Sequence, residues 1–98
     1  IVKGEIKGWK KHKEMTCNLV VPKGAARFVI LNPDNQADHF SVVLSRSNYK
    51  MLKIPPGYWF AFQGIQEDLS LIVNITDLEH DELESQEKDI NSFYFNWP

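Results

Sequence analysis

Tyr49-Lys50-Met51-Leu52-Lys53-Ile54-Pro55-Pro56-Gly57-Tyr58-Trp59-Phe60-Ala61-Phe62 sets two β-prone runs on either side of a Pro-Pro-Gly corner. Proline has no amide hydrogen to give to a ladder, so a central strand cannot pass through the triplet. Pro55-Pro56-Gly57 therefore reads as a turn that carries the chain from one sheet to another. The same pattern continues to both sides. Leu19-Val20-Val21, Phe28-Val29-Ile30-Leu31, Phe40-Ser41-Val42-Val43-Leu44 and Leu69 to Ile75 are short and rich in β-branched and aromatic residues. Pro22-Lys23-Gly24, Asn32-Pro33-Asp34-Asn35, Ser45-Arg46-Ser47-Asn48 and Gln63-Gly64 separate them. Short strands punctuated in this way predict an antiparallel sandwich or barrel with almost no helix.

The 98 residues fit one domain, 1–98, with a modest core. No apolar run approaches the roughly 20 residues a membrane-spanning helix needs, and no secretory leader is visible. One cysteine, Cys17, excludes an internal disulfide and favours a reducing compartment. A cytoplasmic protein is the expectation, with no membrane partner. Charge is unevenly spread. Residues 1–27 hold seven Lys/Arg against two Asp/Glu, and residues 67–89 hold nine Asp/Glu against one Lys. The basic part suits an anionic ligand such as a pyrophosphate, or is simply a solvated face. No nucleic-acid motif accompanies the lysines, and the acidic tract would repel phosphate. Residues 79–90 lack a helical stripe and are expected as an exposed loop.

Several pieces in order along the chain carry a resemblance. Ile54-Pro55-Pro56-Gly57 followed by an aromatic strand, Gly24 followed by Phe28 to Leu31, Thr76-Asp77, the Trp97-Pro98 ending, and Lys7-Gly8-Trp9 with His12 beyond are similar to elements of the dTDP-4-dehydrorhamnose 3,5-epimerase family. The resemblance covers roughly residues 6–98. It implies an all-β cupin-type jelly roll (a double-stranded β-helix), a homodimer, and a nucleotide-sugar ligand. It also implies proton exchange beside the ketone of a 4-keto deoxysugar in surface-polysaccharide biosynthesis. Such chemistry needs a base, a group that stabilises the enolate, and an acid.

Position by position, the resemblance points to His12 as the catalytic base, two residues beyond the family spacing, with Lys10 at the strict position. Asn18 stands where the family has Lys, Phe60 where it has a second His, and Val73 where it has the acid Tyr. Leu78 and Glu79 replace an aromatic pair after Thr76-Asp77. The expected substrate-binding set is Lys10, Asn18, Arg27, Tyr58 and Asn74. Arg27 binds a diphosphate if it points into the barrel and is a surface residue if it points out. Tyr58 and Trp59 offer rings for a base or sugar, or for packing. The mouth of the barrel is expected to gather His12, Asn18, Arg27, Tyr58, Phe60 and Asn74. No cofactor is expected, and no His-x-His pair suggests a metal. The alternative function is a non-catalytic carbohydrate- or nucleotide-sugar-binding cupin.

Overall fold

A computed structural model describes residues 1–76 and 84–98. Each apolar run becomes a strand. These are β2 (Cys17–Lys23), β3 (Ala25–Asn32), β4 (Asn35–Ser45), β5 (Leu52–Ile54), β6 (Phe60–Gly64) and β7 (Leu71–Asn74). Two further strands, β1 (Ile6–His12) and β8 (Ser85–Glu87), are polar and show no apolar run. Helix-like structure among the described residues is confined to short 3-10 turns, one of them Ile90–Ser92. None is long and apolar enough to cross a membrane. The fold is all-β and antiparallel, as the strand spacing predicts.

A five-stranded sheet in the order β4-β3-β6-β1-β8 packs on a three-stranded sheet in the order β5-β2-β7. The Pro55-Pro56-Gly57 corner joins β5 of the smaller sheet to β6 of the larger one. Between the sheets lie Met15, Cys17, Leu19, Val21, Ala26, Phe28, Leu44, Ile54 and Phe60. These occupy alternate positions on β2 and β3, as period-two strands require. The other parity of β3, Val29 and Leu31, joins Trp9, Trp59 and Ala61 on the outer face of the larger sheet. Ile90, Phe93, Phe95 and Trp97 from the C-terminal segment cover that face. The Trp9 indole donates to the Ile90 carbonyl at 2.9 Å, so its one polar atom is satisfied although the side chain is fully buried.

Strand β1 changes face part-way along. Gly8 pairs with Ala61, but the next registered pair is Lys10 with Phe60, so Trp9 is an inserted residue. Such a bulge shifts the parity of everything after it. Ala61 belongs to the outer cluster and Phe60 to the inner one. Without the insertion, Lys10 and His12 would share the outward parity of Gly8. With it they face the interior beside Phe60. Gly8 has φ +143, and a Cβ there would collide with Ala61, so the close approach of β1 and β6 needs glycine at this point.

The acidic C-terminal tract is not wholly loop. Ser85–Glu87 forms β8, which pairs with β1 through Lys10–Glu87, Lys11–Gln86 and His12–Ser85. The rest of the expectation for residues 79–90 falls partly on 77–83, outside the described residues. Asp77 and the Leu78-Glu79 positions lie there too.

Candidate active site

The end of β1 holds a buried pair of titratable groups. His12 Nδ1 lies 2.6 Å from Glu84 Oε2, and both side chains are less than a tenth exposed. The other carboxylate oxygen, Oε1, accepts from the backbone amides of Glu14 at 2.9 Å and Met15 at 2.6 Å. The backbone carbonyl of Glu84 accepts from Lys13 N at 2.8 Å. The turn between β1 and β2 thus wraps around one carboxylate, using successive amides as a small anion-binding concavity.

That wrapping sets the charge of Glu84. Burial by itself would raise its pKa. The hydrogen bond from His12, the two amide hydrogen bonds and the attraction of His12 outweigh burial and hold it at about 2. An ionised Glu84 only accepts hydrogen bonds, so Nδ1 of neutral His12 must carry the ring proton. The lone pair then lies on Nε2, which makes no hydrogen bond with any described residue. A carboxylate fixing the tautomer and steadying the imidazolium is the arrangement that turns a histidine into a directed general base.

The surroundings of His12 follow from the register. Phe60 stacks on the imidazole, with centroids 6.2 Å apart and planes at 23°. Across the inner face runs a registered row, Phe40–Ile30–Phe60–Lys10–Glu87. The neighbouring row ends Phe28–Phe62–Lys7. A cavity of about 400 Å³ is lined by Lys7, Lys10, Phe60, Phe62, Glu87 and Lys88, among others. It has an aromatic floor and a mostly cationic rim, and Phe60 connects it to His12. A second hollow of about the same volume lies at the far end of the row, beside Ile30, Asn32, Asp38, Phe40 and Tyr58.

The predicted residues do not all meet here. His12, Lys10 and Phe60 come together on the inner face, and Tyr58 packs against the inner cluster at the second hollow. Arg27 does not join them. It registers with Gln63 and Val43 and shares the outward parity of Val29, so the whole sheet separates it from His12. Its Nε is buried without a partner, beside a Gln63 that donates to the Pro98 carbonyl at 3.0 Å. Asn18 is also elsewhere. It lies between buried Cys17 and Leu19 and registers with exposed Lys53, which places it on the outer face of the smaller sheet, where its amide donates to the Ile75 carbonyl. Asn74 is occupied with holding β7 to β2, accepting from Asn18 N at 3.1 Å and donating to Cys17 Sγ at 3.4 Å. Trp59 is a packing residue of the outer cluster, with Lys11 and Lys88 over its ring at 5.0 and 5.1 Å.

Glu84 is the residue that sequence reasoning misses. It is one of nine acids between 67 and 89, and its partner is 72 residues away. Nothing local marks it, because strand β8, which delivers it to β1, has no hydrophobic pattern.

No family model matches the chain, and no curated protein matches it. Solved structures do. A dTDP sugar isomerase from Desulfovibrio desulfuricans superposes with TM-score 0.92 at 30% identity, over 99% of this chain and 66% of that one. A dTDP-4-dehydrorhamnose 3,5-epimerase from Sulfolobus tokodaii gives TM-score 0.84 at 24% identity, over 100% of this chain and 58% of that one. A 3'-monoepimerase from Streptomyces bikiniensis gives 0.85 at 13% identity, over 100% and 53%. The chain therefore spans under two thirds of the length of these structures, and the last two show the fold alone. Sequence and fold taken together, this cupin-type chain resembles the dTDP-4-dehydrorhamnose 3,5-epimerase family.

Proposed function

We propose that this chain acts on a nucleotide-linked 4-keto deoxysugar, removing a proton next to the ketone, as a dTDP-4-dehydrorhamnose 3,5-epimerase-like protein of surface-polysaccharide biosynthesis. The observation that carries the reading is the buried His12–Glu84 pair, whose imidazole stacks on Phe60, a residue that lines the neighbouring cavity. His12 Nε2 takes the proton from the carbon beside the ketone. The bonding pair becomes the C=C of an enolate, and Glu84 steadies the imidazolium formed. Proton return to the same carbon completes exchange, or epimerisation if it arrives on the other face. A well-placed base of this kind contributes about 10²–10⁴-fold. Lys7 on the cavity rim suits the diphosphate.

The alternative, a non-catalytic nucleotide-sugar-binding cupin, is favoured by Phe60, which leaves an aromatic ring beside His12 where relatives resembling this chain use a second His. One experiment separates the readings. dTDP-4-keto-6-deoxyglucose is incubated with the protein in D₂O and followed by proton NMR. Loss of the signals beside the ketone, faster than without protein, supports the enzyme. Binding seen by calorimetry without any exchange supports the binder.

A cytoplasmic homodimer goes with this reading. The outer face of the smaller sheet exposes Leu71, Val73 and Ile75, with Met51 at its edge, and a second copy is the partner the family resemblance implies. Sedimentation equilibrium at tens of micromolar, roughly the range where such interfaces assemble, should give twice the 11.4 kDa chain mass.

A further inference from the structure

We propose that the site works on one face of the sugar, so that its productive reaction is migration of the keto group to the adjacent hydroxyl-bearing carbon rather than epimerisation. The inference rests on the proposed function above and names the reaction that follows proton removal.

Epimerisation needs proton carriers on both sides of a carbon, because the proton must return to the face opposite the one it left. Keto migration needs a carrier on one side only. The proton is set down on the neighbouring carbon from the side on which it was taken.

The two sheets differ in what they offer. The larger sheet carries His12, Lys10 and Lys7 on β1 and, across from Lys10, Glu87 on β8. The cavity beside Phe60 is lined from β1, β6, β8 and the residue after β8, all on this sheet. The smaller sheet packs over Phe60 with Cys17, Leu19 and Val21 of β2, Leu52 and Ile54 of β5, and Ile72 of β7. Apart from Cys17 these side chains have no proton to exchange. Cys17 is buried, and its sulfur accepts from Asn74 Nδ2 at 3.4 Å. Among the described residues, the groups near the cavity that carry protons therefore stand on one sheet.

A sugar lying on that sheet turns one face to it. The other face meets the apolar wall or water, and water is the one rival proton source there. A positioned acid is about 10²–10⁴-fold more effective than solvent. Return from the His12 imidazolium therefore dominates, and an epimer forms in roughly one turnover in a hundred or fewer.

The steps balance without a co-reactant. His12 Nε2 takes the proton from C3. The C–H pair forms C3=C4, and the carbonyl π pair moves to O4, which takes a proton from water to give an enediol. The O3 hydroxyl then loses its proton to water, an oxygen pair closes C3=O, and the C=C pair takes the proton at C4 from the imidazolium. The hydrogen has moved from C3 to C4 and the ketone from C4 to C3, with no net oxidation or reduction. C5 has no such course, because it bears the ring oxygen in place of a hydroxyl.

The test uses dTDP-4-keto-6-deoxyglucose carrying deuterium at C3, incubated with wild-type protein in ordinary water and followed by proton and carbon NMR. The expected product is the 3-keto isomer with part of the deuterium at C4, and epimers at C3 or C5 forming about 100-fold more slowly. His12→Gln should lose both the keto shift and the release of deuterium. Cys17→Ser, and His80→Gln at a position outside the described residues, should keep the product ratio. Should Cys17→Ser not fold, as judged by circular dichroism, Cys17→Ala takes its place. An epimer as the main product overturns this inference alone, as does loss of the C3 deuterium with the ketone still at C4. A changed product ratio in either control brings in a group from elsewhere and also overturns it. Wild-type protein that neither releases nor moves the deuterium overturns the proposed function as well.

Discussion

The two faces of the five-stranded sheet use the same strands, often the same dipeptides, for opposite purposes. Trp59 and Phe60 are adjacent, yet Trp59 packs under a tail of Ile90, Phe93, Phe95 and Trp97, while Phe60 lines the cavity and stacks on His12. Lys10 and Lys11 are adjacent, yet Lys10 faces that cavity and Lys11 lies over the Trp59 ring. The outer face is sealed by aromatic area and carries stability. The inner face near β1 is left partly open and carries the titratable groups. What sorts them is the inserted Trp9, which turns the end of β1 inward. Residue type alone does not say which lysine or which aromatic faces the cavity; parity does.

The largest effect should come from the sealed face. Trp9 is fully buried and makes contacts with Phe93 and Trp97 at centroid distances of 5.6 and 6.2 Å. Trp9→Ala should cost about 3–5 kcal/mol of stability, read as a drop in the urea midpoint. It also removes the residue at the bulge. A midpoint shift equivalent to less than 1 kcal/mol would mean the aromatic cover contributes little, and the contrast between faces would weaken.

Glu84→Gln should separate activity from fold. Its amide can still meet a backbone donor, but it cannot steady an imidazolium or fix the histidine tautomer as a carboxylate does. Exchange should fall by about 10²-fold or more, with the circular dichroism spectrum kept. Retained exchange would show that the pair is structural only.

Acid should act on the same pair. Glu84 is held at about 2 when folded, below an unfolded value near 4.5. A depressed carboxylate stabilises the fold above the unfolded pKa, and that contribution is lost as pH falls through the folded one. Stability should therefore decline between about pH 4.5 and pH 2, and the decline should shrink in Glu84→Gln. Equal acid profiles for the two proteins would show that Glu84 does not report on folding.

A smaller effect is expected at half-buried Lys11 on the outer face. Lys11→Ala removes one of the two cations over Trp59 and should cost about 0.5–1 kcal/mol, with exchange unchanged. A large loss of exchange there would place Lys11 with the chemistry and contradict the assignment of faces.

Much of the fold is legible in the sequence because it rests on local signals. Six apolar runs become six strands, and Pro55-Pro56-Gly57 turns between the sheets as a triplet without a full set of donors must. The site is legible only in part. His12 and Lys10 are visible by type and by resemblance to the family. Arg27 and Asn18 are misassigned because each lies in a strand, and a strand's pattern does not say which sheet face a half-buried polar residue takes. For Arg27 the answer comes from its register with Gln63, and for Asn18 from its register with Lys53. Glu84 is invisible because β8 is three polar residues, recruited by pairing with β1 rather than by any apolar pattern.

The most direct test of the division between faces compares His12→Gln with Arg27→Met in the deuterium-exchange assay on dTDP-4-keto-6-deoxyglucose. His12→Gln should lose exchange by about 10²–10⁴-fold, as expected for removal of a general base, while Arg27→Met should keep both the exchange rate and the affinity for the nucleotide sugar. Exchange that survives in His12→Gln and fails in Arg27→Met would put the chemistry on the outer face and contradict the account.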